Sequence, residues 1–169
     1  MRMSTLFFVI VSLLISIVTF AEDKKVNFSG EWSLNQEKSQ LGEGRRQRVA
    51  TKLSVTQKGN NLTIKRTSQG RNGETRVTEE VLTLDGKECK STYRDFPRTA
   101  VAKWSKDGKT LTITSKMIFE RDGNEFEVNT TEIWSLKDSE KVLSIDFTSK
   151  SPRGERKRTT IYDKVKSSE

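Results

Sequence analysis

Residues 109–136, KTLTITSKMIFERDGNEFEVNTTEIWSL, decide the fold of this chain. Every second residue from Leu111 to Phe119 falls on one face of an extended chain, and the same holds from Phe126 to Leu136. A period of two is typical of β-strands that bury one face and expose the other. The Asp-Gly pair at 122–123 favours a tight hairpin turn, because glycine tolerates a positive φ. This stretch therefore predicts two long antiparallel strands joined by a turn.

The same pattern runs along the rest of the chain. Runs rich in Thr, Val, Ile and aromatic residues alternate with Gly, Asp and Asn turns at a spacing of roughly ten residues, which is typical of an all-β sandwich or barrel. No segment with helical periodicity longer than a turn or two follows Ala21. The sequence predicts ten strands, at 28–34, 48–57, 60–68, 74–84, 87–94, 98–106, 109–120, 125–136, 141–150 and 156–165.

An even number of consecutive strands makes the first and last strands antiparallel, so the meander can close on itself. Closure removes sheet edges that would otherwise aggregate. We therefore predict an all-β fold, a single antiparallel up-and-down meander barrel of about 8–10 strands, with a β-sandwich as the alternative. A barrel that spans a membrane is excluded, because the faces opposite the apolar ones include Lys52, Ser54 and Thr56, which cannot face lipid.

The first residues have the pattern of an export signal. Arg2 precedes an apolar run from Leu6 to Phe20 that is shorter than the roughly 20 residues needed to cross a bilayer, and Thr19-Phe20-Ala21 places small residues where signal peptidase cuts. No cysteine follows the run for attachment of a lipid. We expect a secreted or periplasmic protein, divided into a signal peptide (1–21), a short N-terminal lead (22–27), the barrel (28–165) and a polar C-terminal tail (166–169).

The composition excludes several kinds of site. The chain has 169 residues, a formal net charge of +8 and no histidine. Without histidine it lacks the commonest metal ligand and the usual general base near neutral pH, so we predict no metal site, no cofactor and no enzymatic activity. Cys89 is the only cysteine, so the barrel has no internal disulfide. The basic charge favours anionic partners.

The two ends of the predicted barrel differ in polarity. Apolar residues, among them Trp104 and Trp134, flank the turns of one end, which we call the closed end: 58–61, 85–86, 107–108 and 137–140. The other end, which we call the open end, has its connections at 35–47, 67–73, 94–98, 121–124 and 150–156. All arginines after the apolar run are expected on or near the open end: Arg45, Arg46, Arg48, Arg66, Arg71, Arg76, Arg94, Arg98, Arg121, Arg153, Arg156 and Arg158.

A plugged apolar end and an open cationic end predict a cup for an anionic ligand. Guanidinium groups match carboxylate and phosphate geometry through paired donors. The candidate ligand-binding residues are Arg66, Arg76, Arg94, Arg121, Arg156 and Arg158, above an apolar wall that includes Met117, Phe119 and Phe126. The alternative is that these arginines pair with glutamates at the same rim, in exposed ion pairs of little energetic consequence. Glu132 is expected to face inward, where a neighbouring Arg or Lys would have to compensate its charge.

Two short segments resemble the calycin superfamily, the lipocalins and fatty-acid-binding proteins. Phe28-Ser29-Gly30-Glu31-Trp32-Ser33-Leu34 resembles their first strand, and the resemblance implies that Gly30 and Trp32 belong to the closed end, together with Trp104 and Trp134. The segment 160–165, TIYDKV, resembles the last strand of the intracellular fatty-acid-binding proteins, where an Arg-x-Tyr pair binds a carboxylate.

That last strand departs from the family pattern at one position. Tyr162 is kept as an implied ligand-binding residue, but Thr160 stands where the arginine is expected. Arg158 lies one alternation earlier, and it either substitutes for the missing arginine or packs on Trp32. Between Leu34 and Arg48 there is no room for the family's helical lid, because glycines at 42 and 44 interrupt any helix. By resemblance the chain is an exported bacterial lipocalin-like protein.

Two functional hypotheses follow from the sequence. The first is an exported lipocalin-like binding protein for a small amphipathic or anionic ligand such as a fatty acid. The alternative is a solid-core β-barrel interaction module, an inhibitor or envelope-assembly factor, that contacts a protein partner through its Arg-rich rim loops. Nucleic acid is not expected as a partner: Tyr93 and Phe96 lie near Arg94 and Arg98, as stacking on bases would require, but an exported protein rarely meets nucleic acid.

Overall fold

The structure is a computed structural model that describes residues 25–42, 49–70, 72–93, 96–121 (without the Arg121 side chain) and 123–166. The predicted signal peptide at 1–21 lies outside the described residues, as do parts of the predicted lead and tail. The chain forms ten strands: β1 (Gly30–Gln40), β2 (Lys52–Lys58), β3 (Asn61–Gln69), β4 (Thr75–Thr83), β5 (Glu88–Tyr93), β6 (Phe96–Trp104), β7 (Thr110–Arg121), β8 (Asn124–Lys137), β9 (Val142–Ser151) and β10 (Gly154–Lys164). No helix in the described part of the chain has the length and apolarity to cross a membrane.

The predicted all-β meander is confirmed. All ten strands belong to one antiparallel sheet with the order β4-β3-β2-β1-β10-β9-β8-β7-β6-β5. The first and last strands pair as expected, with Trp32 opposite Lys164 and Leu34 opposite Tyr162. The result is a nearly closed up-and-down barrel in which alternate residues of each strand face the interior.

The expectation of complete closure is wrong at one place. β4 and β5 follow each other in the chain, yet they are the two edges of the sheet and share no ladder of hydrogen bonds. The amide of Thr83 donates instead to the Cys89 sulfur, 3.2 Å away, and the amide of Leu84 donates to the carbonyl of Asn60. The backbone groups that would start a hairpin are therefore used elsewhere, and a gap separates β4 from β5.

β1 is longer than the sequence predicts. It continues to Gln40 through a segment that was expected to be a loop, with a register shift against β10 between Asn35 and Gln40. Ser39 bridges the irregular region, because its hydroxyl accepts a hydrogen bond from the Ile161 amide at 2.9 Å and lies 2.5 Å from the Asn35 carbonyl. A bulge of this kind hides the period of two, so alternation alone could not reveal it.

Aromatic side chains fill the closed end of the barrel. Phe28 is fully buried; its ring stacks on Trp104 and meets Trp134 edge-on, both at 5.7 Å between ring centroids. The Trp32 indole is also fully buried and donates to the Phe28 carbonyl at 3.0 Å. The three tryptophans thus meet around Phe28, and a dry aliphatic core continues from them into the barrel.

Gly30 and Lys164 shape the entrance of β1. Gly30 has a φ of +146°, and a Cβ there would come within 3.1 Å of the Lys164 side chain. The Lys164 ammonium lies 5.3 Å from the centre of the Trp32 ring. The cation that packs on Trp32 is therefore Lys164, and the alternative that Arg158 packs there is wrong.

We expect Phe28→Ala to lower the free energy of unfolding by about 3–5 kcal/mol, because it empties a fully buried site between two indole rings. Ile118→Ala on β7 is the matched control, since Ile118 is 36% exposed and surface substitutions usually change stability by about 0.5 kcal/mol or less. Urea denaturation followed by tryptophan fluorescence measures both variants. Equal effects of the two substitutions would contradict the placement of Phe28 at the centre of the closed end.

Candidate functional site

An internal cavity of about 450 Å³ lies on the side of the core away from the closed-end turns. Its walls combine apolar and polar side chains from β2 to β10. The apolar lining residues are Val49, Ala50, Leu53, Met117, Ile145 and Phe147. The polar and aromatic ones are Arg66, Thr78, Glu79, Glu80, Ser91, Thr92, Tyr93, Arg98, Ser115, Thr130, Glu132, Arg158, Thr160 and Tyr162.

Four charged side chains, Arg66, Glu80, Arg98 and Glu132, form what we call the charged floor of this cavity. Arg66 donates to Glu132 at 2.9 Å and to Glu80 at 3.0 Å, and Arg98 contacts the other oxygen of Glu80. These side chains are only 11–23% exposed. Ions withdrawn from water are tolerated only when opposite charges compensate them; here Arg66 bonds to Glu132 and to one oxygen of Glu80, and Arg98 lies against the other oxygen.

Trp134 connects the charged floor to the apolar core. Its ring is fully buried, and its Nε1 donates to Glu132 at 2.8 Å. The guanidinium of Arg66 lies 6.0 Å from the centre of the same ring. As the sequence predicts, Glu132 faces inward and an arginine compensates its charge.

The environment shifts the pKa values of the charged floor. Burial alone would raise the pKa of Glu132, but Arg66, the Trp134 hydrogen bond and Arg98 outweigh it and hold the pKa below the usual 4.5. Burial lowers the pKa of Arg98 to about 10, with Arg66 acting in the same direction and Glu132 opposing it. At neutral pH both of these groups are charged, and the ion pairs of the floor join two guanidinium groups to two carboxylates.

Arg158 adds a further cation to the cavity. Its guanidinium carbon lies 3.8 Å from the centre of the Phe147 ring, an arrangement of the cation–π type. Burial lowers its pKa. Among the described residues, no carboxylate forms an ion pair with its guanidinium within 4.0 Å, although Glu132 opposes the lowering of its pKa. Phe147 lies directly opposite Arg158 on β9, and Arg156 and Thr160 share its face of β10. The cavity lining therefore holds three guanidinium groups against the two carboxylates of the floor; the third lining carboxylate, Glu79, pairs with Lys65 at 3.1 Å.

Hydroxyl groups surround Arg158. The Tyr162 hydroxyl donates to the Ala50 carbonyl at 3.1 Å, and burial raises the pKa of this phenol to about 12, so it stays protonated. Ser115 and Thr130 share a hydrogen bond of 2.7 Å between their hydroxyls on facing strands. The buried Thr160 hydroxyl lies 3.4 Å from the Ile145 carbonyl. These groups offer neutral donors and acceptors beside one uncompensated positive charge.

The structure brings together only some of the residues that the sequence singles out. Arg66, Arg158, Tyr162 and Met117 line the cavity. Arg66 and Arg158 lie inside the barrel, which corrects their expected position at the rim, because long side chains on inward positions reach down toward Glu132. Arg94 lies outside the described residues, and so does the side chain of Arg121.

Four other candidates do not reach the cavity wall. Arg76 pairs with Glu74 on the exposed surface of β4, and Arg156 is exposed near the start of β10. Phe119 packs against Phe96 with 4.7 Å between ring centroids. Phe126 lies opposite Phe119 on β8 and is half-buried.

Sequence reasoning missed Arg98 and Glu80 as site residues by assigning both to the rim. A signal for them was present: Arg98 shares its face of β6 with Ala100 and Ala102, and Glu80 shares its face of β4 with Leu82, all of which are buried. A charged residue in line with buried residues on the same strand face indicates an internal ion pair.

Comparison with solved structures identifies a protein of similar fold. The chain is similar to zebrafish ileal bile acid-binding protein, solved in complex with cholic acid, with a TM-score of 0.50 and 14% sequence identity. The similarity covers 82% of this chain and 98% of that chain. It shows a shared ten-stranded, nearly closed barrel, in agreement with the calycin resemblance of the sequence. No protein-family model and no curated protein sequence matches this chain.

We expect the charged floor to make stability depend on pH. The lowered pKa of Glu132 means that its stabilising contribution is fully present above pH 4.5, the usual pKa of the free side chain, and is lost as the pH falls below that value. Glu132→Gln should therefore lower the free energy of unfolding at pH 7 by about 3–5 kcal/mol and flatten its dependence on pH in the acidic range. Urea denaturation of wild-type and Glu132→Gln protein at several pH values measures this. If the free energy of unfolding falls equally steeply at acidic pH in both proteins, the prediction is contradicted.

Proposed function

We propose that the barrel binds a small amphipathic anion in its cavity, with the anionic group at Arg158 and the apolar part along Met117, Ile145 and Phe147. The observation that carries this proposal is the charge imbalance of the cavity. Arg66 and Arg98 are in direct contact with Glu80 and Glu132, whereas Arg158 packs on Phe147 and forms no ion pair with a carboxylate among the described residues.

The electrostatics of Arg158 favour a carboxylate or a similar anion as its partner. A charge that is partly removed from water is unfavourable unless an opposite charge or hydrogen bonds compensate it. The downward shift of the Arg158 pKa, caused first by burial, expresses this cost. An incoming carboxylate offsets it and gains charge-assisted hydrogen bonds, which are roughly twice as strong as neutral ones. Tyr162 and Thr160 stand on the same strand face to complete the contacts.

The shape of the cavity limits how the ligand lies. A volume of about 450 Å³ is within the usual range for small-molecule sites. An alkyl or ring system placed against the charged floor would gain little, because it would displace polar contacts of Arg66 and Glu132. The apolar part of the ligand therefore extends from Arg158 toward the open end, along Phe147 and Met117.

Two observations support an amphipathic acid over other ligand classes. The zebrafish protein of similar fold is described in complex with cholic acid, an amphipathic carboxylic acid. The sequence has no histidine, and the described residues contain no cluster of His, Cys, Asp and Glu that could hold a metal ion. The solid-core interaction module is less well supported, because it requires a filled interior where the cavity lies.

We further propose that residues 1–21 are removed during export and that the barrel works in the periplasm or outside the cell. The short apolar run from Leu6 to Phe20 and the small residues at Thr19 and Ala21 support this. The intact mass of protein expressed from the full chain in a bacterial host measures it: we expect a mature chain that begins near Glu22. A purified protein that retains Met1 would contradict export by cleavage.

We expect Arg158→Met to weaken binding of a fluorescent fatty acid such as cis-parinaric acid. Loss of charge-assisted hydrogen bonds worth about 1.5–3 kcal/mol corresponds to a rise in Kd of roughly ten- to a hundredfold. Lys157→Met is the matched control, since Lys157 is the next residue along β10, is exposed and pairs with Glu155 on the outer surface. Fluorescence titration measures both variants.

The corresponding uncharged alcohol separates a charge effect from a packing effect. The wild-type protein should bind the acid more tightly than the alcohol, and Arg158→Met should remove that preference. Two results would exclude Arg158 as the residue that binds the anionic group. One is equal affinity of the wild-type protein for the acid and the alcohol, and the other is an unchanged preference of Arg158→Met for the acid over the alcohol.

A further inference from the structure

The cavity is lined differently at β4 and β5 than elsewhere. On β7 to β10 only alternate residues line it, such as Ser115 and Met117, as expected where one face of a closed sheet points inward. On β4 and β5, by contrast, consecutive residues line it, at 78–80 and 91–93. Outward-facing residues can border an internal cavity only where the wall is open. The cavity therefore reaches the outer surface between β4 and β5.

The backbone does not hold this opening shut. β4 and β5 are the two edges of the sheet and share no ladder of hydrogen bonds, although the turn at 84–87 joins them at the closed end. A ladder elsewhere in the barrel resists separation through many cooperative hydrogen bonds. Separation of β4 from β5 breaks no such ladder. We therefore expect the barrel wall to open here at a lower free-energy cost than between other neighbouring strands.

One ion pair spans the gap, in addition to the hydrogen bond from the Thr83 amide to the Cys89 sulfur near the turn at 84–87. Glu80, on β4, binds Arg66 on the neighbouring strand β3, and its second carboxylate oxygen contacts Arg98 on β6. Arg98 lies opposite Ser91 of β5 in the sheet. The Glu80–Arg98 contact thus ties the β4 edge to the β5–β6 hairpin beneath the opening. Among the described residues, it is the only ion pair that joins β4 to β5 or β6.

We infer that the β4–β5 gap is a side opening through which the amphipathic anion enters and leaves the cavity, latched by the Glu80–Arg98 contact. The inference rests on the proposed function for the nature of the ligand. The anionic group of an arriving ligand competes with Glu80 for Arg98. The ligand therefore breaks the Glu80–Arg98 contact as it enters the cavity. Val77 and Val81, 61% and 53% exposed on the outer face of β4, provide an apolar approach for the rest of the ligand.

Hydrogen exchange of the ligand-free protein tests the latch without any ligand. In Glu80→Gln, amides of β4 and β5 should exchange at least about tenfold faster relative to those of β8 and β9, because a charge-assisted contact across the gap is lost. Glu127→Gln is the control; its carboxylate makes an exposed ion pair with Lys116 away from the gap. Equal protection of β4 and β5 in Glu80→Gln and wild-type protein would overturn the latch.

Stopped-flow release of cis-parinaric acid tests the opening itself. Removing the negative charge of Glu80 should, by electrostatics alone, slow the release of an anion. The side opening has the reverse consequence: release from Glu80→Gln should be about tenfold faster, in step with the faster local opening, and association should be faster as well. Slower or unchanged release would overturn the proposed route.

Thr92→Trp provides a second test that does not disturb the charged floor. Thr92 is exposed at the edge of the gap, so a large side chain there obstructs the opening without overpacking the core. Association and release should both slow, by about fivefold or more, because an obstacle on the route affects both directions. Unchanged rates would show that the ligand uses the open end of the barrel. If neither the wild-type protein nor any variant binds cis-parinaric acid, the proposed function is contradicted. Hydrogen exchange still tests the Glu80–Arg98 contact in that case, because it needs no ligand.

Discussion

The contact of Glu80 and Glu132 with Arg66 and Arg98 is the interaction on which the rest of the barrel interior depends. Ions taken out of water cost several kcal/mol each unless they satisfy one another. Here two cations and two anions from four different strands do so, with distances of 2.9–3.0 Å around Arg66. Because the compensation is mutual, removal of any one member leaves a charge stranded beside the core, and the geometry of four strands is tied to one small cluster.

The charged floor also divides the interior into two parts. Toward the closed end lie Phe28, Trp32 and Trp134, which are fully buried; toward the open end lies a cavity with hydroxyls and Arg158. Trp134 belongs to both parts, since its ring is buried in the core while its Nε1 bonds to Glu132. An amphipathic barrel of this kind keeps its stability and its binding surface in separate layers, so the cavity can stay open without a loss of core packing.

Alternation was sufficient to predict the fold. The even number of strands gave the pairing of the first with the last, and a period of two located all ten strands. Tyr162 came from the resemblance to the fatty-acid-binding proteins, and Arg66 and Arg158 were expected only on or near the open end. The period of two could not give the position of each side chain along the barrel axis, because that position depends on strand tilt and on side chains that meet across the interior. Arg66 and Glu132, for example, are 66 residues apart in the chain and meet only in the fold. Nor could it show the gap, which depends on where Thr83 and Leu84 direct their amides.

The same chemistry governs where the proposed ligand rests and how it gets there. Arg158 offers a seat that lacks a carboxylate, whereas Arg98 offers a similar group whose carboxylate partner, Glu80, stands on the unpaired edge of the sheet. A neutral molecule gains nothing at either group, so it neither competes with Glu80 nor compensates Arg158. An anion does both. Selectivity for charge therefore acts twice in the proposed route, once on the rate of entrance at Arg98 and once on the affinity at Arg158.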